Sequence, residues 1–197
     1  MKRRVIALFL SIPFTVFASS DELKMFDIMN TGIHALETIE GVERPSLTQI
    51  IDKSDVIVRG TVVDVTPYAH LQMEIPGMDH PAPISYSVAL VVRVDDVMKG
   101  RDKIAEGNEI FVRRVVTWPG KGKERYQRLK DNLYKGQITM VLEEFDPETI
   151  TSAMPMMQHN VHRESKVGPG DTVYELVDRK AFWVDNDGKM LKPPDKD

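Results

Sequence analysis

The sequence predicts a mainly β domain, a small barrel or sandwich of five or six strands with a short capping helix and an N-terminal helical arm. Three observations predict it. Short β-branched or alternating segments recur between breaks rich in Gly and Pro; no helical segment follows each strand as βαβ units require; and several strands are apolar on both faces near their centres. A small closed barrel with one outer face covered by the N-terminal helices would account for the doubly apolar strands.

The chain opens with a segment that is not part of this fold. Lys2, Arg3 and Arg4 precede an apolar run from Val5 to Phe17, and Val16-Phe17-Ala18 sets small residues at positions −3 and −1 of a cleavage site. This is the pattern of a secretory signal peptide spanning 1–18. The run is shorter than the ~20 residues of a spanning helix, so the expectation is an exported protein, periplasmic or secreted, that does not span the membrane. Removing the leader takes the formal charge from −4 to −7. The chain contains no cysteine, which excludes disulfide scaffolds, zinc-thiolate sites, iron–sulfur clusters, lipoprotein anchors and cysteine nucleophiles. Its 42% hydrophobic content and small net charge exclude wholesale disorder.

Residues 19–45 read as an arm. Leu23, Phe26, Met29, Ile33 and Leu36 recur at helical spacing. Ser46-Leu47-Thr48-Gln49 fits a capping box and starts a short helix reaching about Lys53. The period then changes. Asp55 to Thr66 is β-branched and reads as a strand, with Gly60 as a bulge or bend. A proline-bearing loop is expected over 67–83. Ile84 to Val94 alternates as the cleanest strand, until Asp95-Asp96 breaks its phase. Asn108 to Trp118 is a third strand and Gln137 to Phe145 a fourth, joined by a basic loop. A second long loop, rich in Met, His and Pro, covers 146–171. Thr172 to Val177 and Ala181 to Val184 are shorter strands, and Asp187-Gly188 signals a hairpin returning through Lys189 to Leu191. The domain therefore covers 46–191, with 192–197 as a polar tail.

The order of these signals resembles a known pattern. A short helix runs into DKSDVIVRGTVVDV, an alternating strand ends in VDDVMKG, NEIFVRRV follows, and then YKGQITMVLEEF. Over about residues 46–186 this looks like the netrin-like OB-barrel modules, which include the N-terminal domain of tissue inhibitors of metalloproteinases and a broad set of secreted bacterial proteins. The resemblance implies a five- to six-stranded OB-like barrel and a non-enzymatic role. Those inhibitors chelate their target's zinc through an N-terminal cysteine. This chain has none, so no inhibitory residue carries over.

Two features point to chemistry. The first is a Met/His segment: Met154, Met156, Met157, His159 and His162, with a second set of Met73, Met78 and His80 in another loop. Thioether and imidazole ligands suit copper; as a plain alternative, such methionines pack as flexible apolar caps. The second is a stretch from Arg113 to Lys135 with a charge of +6, in which Arg113, Arg114, Lys121, Lys123, Arg125 and Arg128 are interleaved with Trp118 and Tyr126. OB barrels bind polymers on a sheet face rimmed by loops, and cations with stacking aromatics are the chemistry for anionic ligands. Outside the cytoplasm this means an anionic glycan or a protein rather than nucleic acid; the bland counterpart is a solvated hairpin loop. The adjacent pairs Asp95/Asp96 and Glu143/Glu144 point to opposite faces of their strands, as neighbours on a strand must, and do not form a glycosidase pair. Asp185-Asn186-Asp187-Gly188 lacks the distal glutamate of a calcium loop. Phosphate loops, zinc-protease helices and nucleophile elbows are absent.

The sequence thus reads as an exported binding module for a protein or an anionic glycan, without a required cofactor. A periplasmic copper-binding protein is the alternative, and an enzyme whose site is assembled from distant residues comes third.

Overall fold

In a computed structural model, the described residues are 46–117, 122–177, 182–186 and 189–190. The leader (1–18), the arm (19–45) and the tail (192–197) lie outside them.

Helix α1 (Leu47–Lys53) forms where the capping box predicts. Gln49 N donates to Ser46 Oγ at 3.3 Å, and Ser46 N donates to Gln49 Oε1 at 2.7 Å. Two otherwise orphaned donors of the first turn are thereby satisfied. Its C-terminal end is closed by a distant ammonium: Lys99 Nζ donates to Ile51 O at 2.9 Å and to Ser54 O at 2.6 Å. A cation at this end also opposes the negative pole of the helix.

Eight strands follow: β1 (Val56–Met73), β2 (Ala82–Lys99), β3 (Glu109–Thr117), β4 (Gln137–Glu144), β5 (Met157–Val161), β6 (Val173–Leu176), β7 (Phe182–Asn186) and β8 (Lys189–Met190). The mainly β expectation holds. Strands β1 and β2 form one long antiparallel hairpin; β2 pairs with β3, β3 runs parallel to β6, and β6 pairs with β4. Because β4 also pairs with β1 over Val56–Thr61, the order β1-β2-β3-β6-β4 returns to its start. Strand β5 extends β1 on the same edge farther along, at Ala69–Met73. The β7–β8 pairing, Asp185 opposite Met190, fits the hairpin signalled by Asp187-Gly188.

The core lies inside this circuit. Val56, Val58, Val62 and Val65 of β1, Val88, Leu90, Val92, Val94 and Val97 of β2, Val112 of β3 and Ile138, Met140 and Leu142 of β4 are all 0–2% exposed. The phase of burial changes where the register slips. The shift between Val62 and Asp64 moves the inward position from even to odd numbers, as an extra bulged residue must. In β2 the same break falls at Asp95-Asp96, so that Val97 rather than Asp96 turns inward.

Several expectations need correction. The loop placed at 67–83 shrinks to a turn at 74–81. Strand β1 runs through Pro67, which the sheet tolerates because the register shifts between Pro67 and Ala69. The basic loop contains a helix, α2 (Gly122–Asp131), whose Leu129 is fully buried and whose Tyr126 packs on the core. The Met/His loop contains α3 (Pro147–Ala153), N-capped by Asp146 with Pro147 in its first turn, and then β5. Phe145, Ile150 and Val167 pack with Tyr68, Ala69, Ala89, Phe111 and Val173 on a second apolar face, and α1 sets Ile50 against Val141; cover expected from the arm lies outside the described residues. No described helix is long and apolar enough to cross a membrane.

Gly60 sits where β1 is paired on both edges, opposite Val94 of β2 and Ile138 of β4. A Cβ there would lie 2.5 Å from Arg93 O and 2.8 Å from Val92 Cγ1. Backbone cannot yield as a side-chain tip can. Gly60→Ala is expected to cost about 1–3 kcal/mol from overpacking, read as a lower urea midpoint with an unchanged slope; a midpoint at the parent value would show that the crossing has room.

Candidate functional site

The edge of β1 facing away from β2 carries β4 at its start and β5 at its end. Residues between Thr61 and Ala69 have no strand beside them on this edge. The segment after β5 fills the gap. His162 N donates to Tyr68 O at 2.7 Å, Lys166 N to Thr66 Oγ1 at 3.0 Å, and Lys166 Nζ to Asp64 Oδ2 at 2.6 Å. Helix α2 lies against β1, β2 and β3. Two segments far apart in sequence thereby bring cations to one stretch of β1.

The titration of two side chains reports this convergence. Burial works against the charged form of Asp64, but the Lys166 ammonium, the Val65 amide and the nearby charge of Lys130 outweigh it and hold the carboxyl below its ordinary 3.8. Burial, then the charges of His162 and Lys123, push His70 below 6.5. The His70 ring stacks edge-on against Tyr86 at 5.0 Å and lies 5.4 Å from His162, whose Nδ1 accepts from Glu164 N at 3.2 Å. Lys123, Lys130 and Lys166 are exposed, and Tyr126 lies under Lys130 at 5.9 Å.

The basic residues chosen from sequence divide sharply. Arg113 is bonded to Glu175 at 2.6 Å and stacks 4.2 Å over Phe145, with a side chain only 11% exposed. Arg114 is 7% exposed. Arg125 is half-buried and donates to Val116 O at 2.8 Å. These three serve the fold: Arg113 and Arg114 are enclosed on β3, and Arg125 on α2 is tied back to the end of that strand. Lys123 and Arg128 are exposed on α2 and Tyr126 is half-buried, whereas Trp118 and Lys121 lie outside the described residues. Lys166, His70 and Asp64 were not chosen; only the pairing of 162–167 with β1 brings them in.

The Met/His residues divide as well. In the register of β1 and β5, Met73 faces Met157, and Glu74 N donates to Met156 O at 2.9 Å. The hairpin turn and the residue before β5 therefore share one end of the molecule. They line a cavity of about 380 Å³ to which Met78, His80 and Met156 contribute, with Glu74 and Asp79 beside them. Met157 is turned into the core at 8% exposure. His159 is packed between Tyr68 (5.4 Å) and Phe145 (5.8 Å), and its buried Nε2 has no hydrogen-bond partner. His162 is turned to His70. Met73 and Met154 are near the cavity in sequence but do not line it. Among the described residues no three His, Cys, Asp or Glu side chains converge as a metal-binding group. The Asp95/Asp96 pair is engaged structurally, Asp95 accepting from Thr61 and Gln137 and Asp96 from Arg59 and Arg101, while at Glu143/Glu144 the Glu144 backbone amide donates to Asp55.

His159 is also held below 6.5, by burial and then by Arg113. Below 6.5 the unfolded chain takes protons at His70 and His159 that the folded chain refuses. Their contribution is therefore complete above the unfolded value and is lost as the pH falls beneath it. Urea midpoints are expected to drop between pH 7.5 and 5.5. His159→Phe keeps the ring contacts and removes the orphaned nitrogen, so it should shrink that drop and add about 1 kcal/mol of stability at pH 7.5. An undiminished drop would place the acid sensitivity elsewhere.

Comparison of the chain with protein-family models, with curated proteins and with solved structures finds no match.

Proposed function

We propose that the chain is an exported, non-enzymatic binding module, an OB-like (netrin-like) barrel that recognises an anionic partner, either a glycan or an acidic protein surface. The circuit β1-β2-β3-β6-β4-β1, with β3 and β6 parallel, supports the barrel reading. One observation carries the ligand class. Helix α2, which packs on β1 and carries Lys123 and Lys130, and the 162–167 segment, which bonds to Asp64, Thr66 and Tyr68 and carries Lys166, meet the same strand although remote in sequence. Tyr126, half-buried on the core, lies under Lys130 at 5.9 Å and steadies that cation through its ring face. The chain as a whole is acidic, so a cationic strip on it is a segregated feature that orients an incoming polyanion. The export signal at 1–18 makes nucleic acid an unsuitable partner.

The recognition surface is thus narrower than the basic segment 113–135 and differs from it in membership. On a sulfated-polysaccharide column at low salt the full chain should be retained. The triple variant Lys123→Gln, Lys130→Gln, Lys166→Gln should elute at clearly lower salt, while Arg101→Gln, exposed but past the end of β2 opposite Ile57 and so outside this stretch of β1, should elute with the parent. Flow-through of the parent, or co-elution of the triple variant with it, would overturn the reading.

A further inference from the structure

We propose that the tip of the β1–β2 hairpin is a site for a soft monovalent metal ion, copper(I), held by the thioethers of Met78 and Met156 and the imidazole of His80. The proposal does not rest on the anion-binding strip. Its basis is a juxtaposition that sequence distance hides. The two methionines are 78 residues apart in the chain, yet the β1–β5 register closes the gap, and the hydrogen bond from Glu74 N to Met156 O fixes the second thioether against the turn that carries the first. Both lie on one cavity of about 380 Å³ with His80.

The chemistry selects the ion. Three neutral donors, two of them thioethers, suit a soft d¹⁰ cation and leave a hard one without its preferred oxygen cage. Glu74 and Asp79 line the same cavity and give it a negative potential that favours a cation. The Glu74 carboxylate is itself held by Gln158. Met78 is 57% exposed and Met156 46% exposed, so neither is committed to the core and both sulfurs are open to a ligand role. The turn is also framed: Pro76 and Pro81 bracket Gly77, whose φ of +88° is the left-handed region that favours glycine. A thioether carries no proton to lose, so two of the three donors stay competent in acid, where a thiolate would be quenched.

The test uses the full chain under anaerobic, reducing conditions, with copper(I) supplied as its complex with a chromogenic chelator. The chain should withdraw one equivalent of copper(I), and the ε-methyl resonances of Met78 and Met156 should shift while those of Met140 and Met157 stay in place. Met78→Leu with Met156→Leu keeps the apolar volume and should abolish the withdrawal; His80→Gln should weaken it. Failure of the parent to compete, unchanged competition by the double leucine variant, or equal binding of zinc(II) by parent and double variant would each overturn the assignment. None of these outcomes bears on retention by the sulfated polysaccharide, so the two readings fail separately.

Discussion

Strand β1 pairs with β2, β4 and β5 and also takes the 162–167 segment, and the rest of the fold is arranged around that sharing. Its one edge pairs with β2 almost throughout; its other edge is divided among β4, the 162–167 segment and β5. A strand paired on both sides must satisfy two registers at once, and each bulge that suits one neighbour displaces the other. The shifts at Arg59/Gly60, Val62/Asp64 and Pro67/Ala69 are where that conflict is absorbed. Gly60 removes the side chain at the tightest crossing. Pairing with β4 stops at Thr61, opposite Gln137 where β4 begins, and the irregular 162–167 segment fills the stretch beyond. Lys166 reaches that stretch from this irregular segment, and Lys123 and Lys130 stand on helix α2, which packs against the same strand.

Much of this architecture is legible in the sequence, for physical reasons that can be named. Helix α1 is signalled by a local interaction, the reciprocal bonds of Ser46 and Gln49, which needs no tertiary partner. Strands β2, β3 and β4 are signalled by alternation imposed by a single buried face. The errors fall where the signal is mixed. In α2, Tyr126 and Leu129 stand at helical spacing, but the surrounding lysines, arginines and glycines mask so short an apolar stripe. Helix α3 carried a readable start in Asp146-Pro147-Glu148, N-cap, proline and first-turn acid, overshadowed by the methionines after it. Strand β5 has almost no apolar alternation; it forms because β1 offers an edge, which is a property of β1 and not of residues 157–161.

The binding residues show the same division. Arginines 113, 114 and 125 look in sequence like their exposed neighbours, yet burial against Glu175, Phe145 and Val116 separates them from Lys123 and Lys130. A charge run gives the sign of a field but not which of its members faces water. Conversely, Lys166 and His70 carry no local pattern at all, and become interpretable only through β1. The Met/His residues behave likewise: alternation along β5 sends Met157 and His159 inward while leaving Met156, one residue ahead of the strand, at the turn.

Lys99 gives the molecule a polarity. Its ammonium fastens α1 to the end of β2 that lies opposite Ile57, the far end of the hairpin from the turn at 74–81. Helix α1 thus marks one pole of the described residues, and the methionine-bearing turn is exposed at the other. Anything that grips the protein at helix α1 would therefore hold it upright, with the hairpin turn directed outward as a probe.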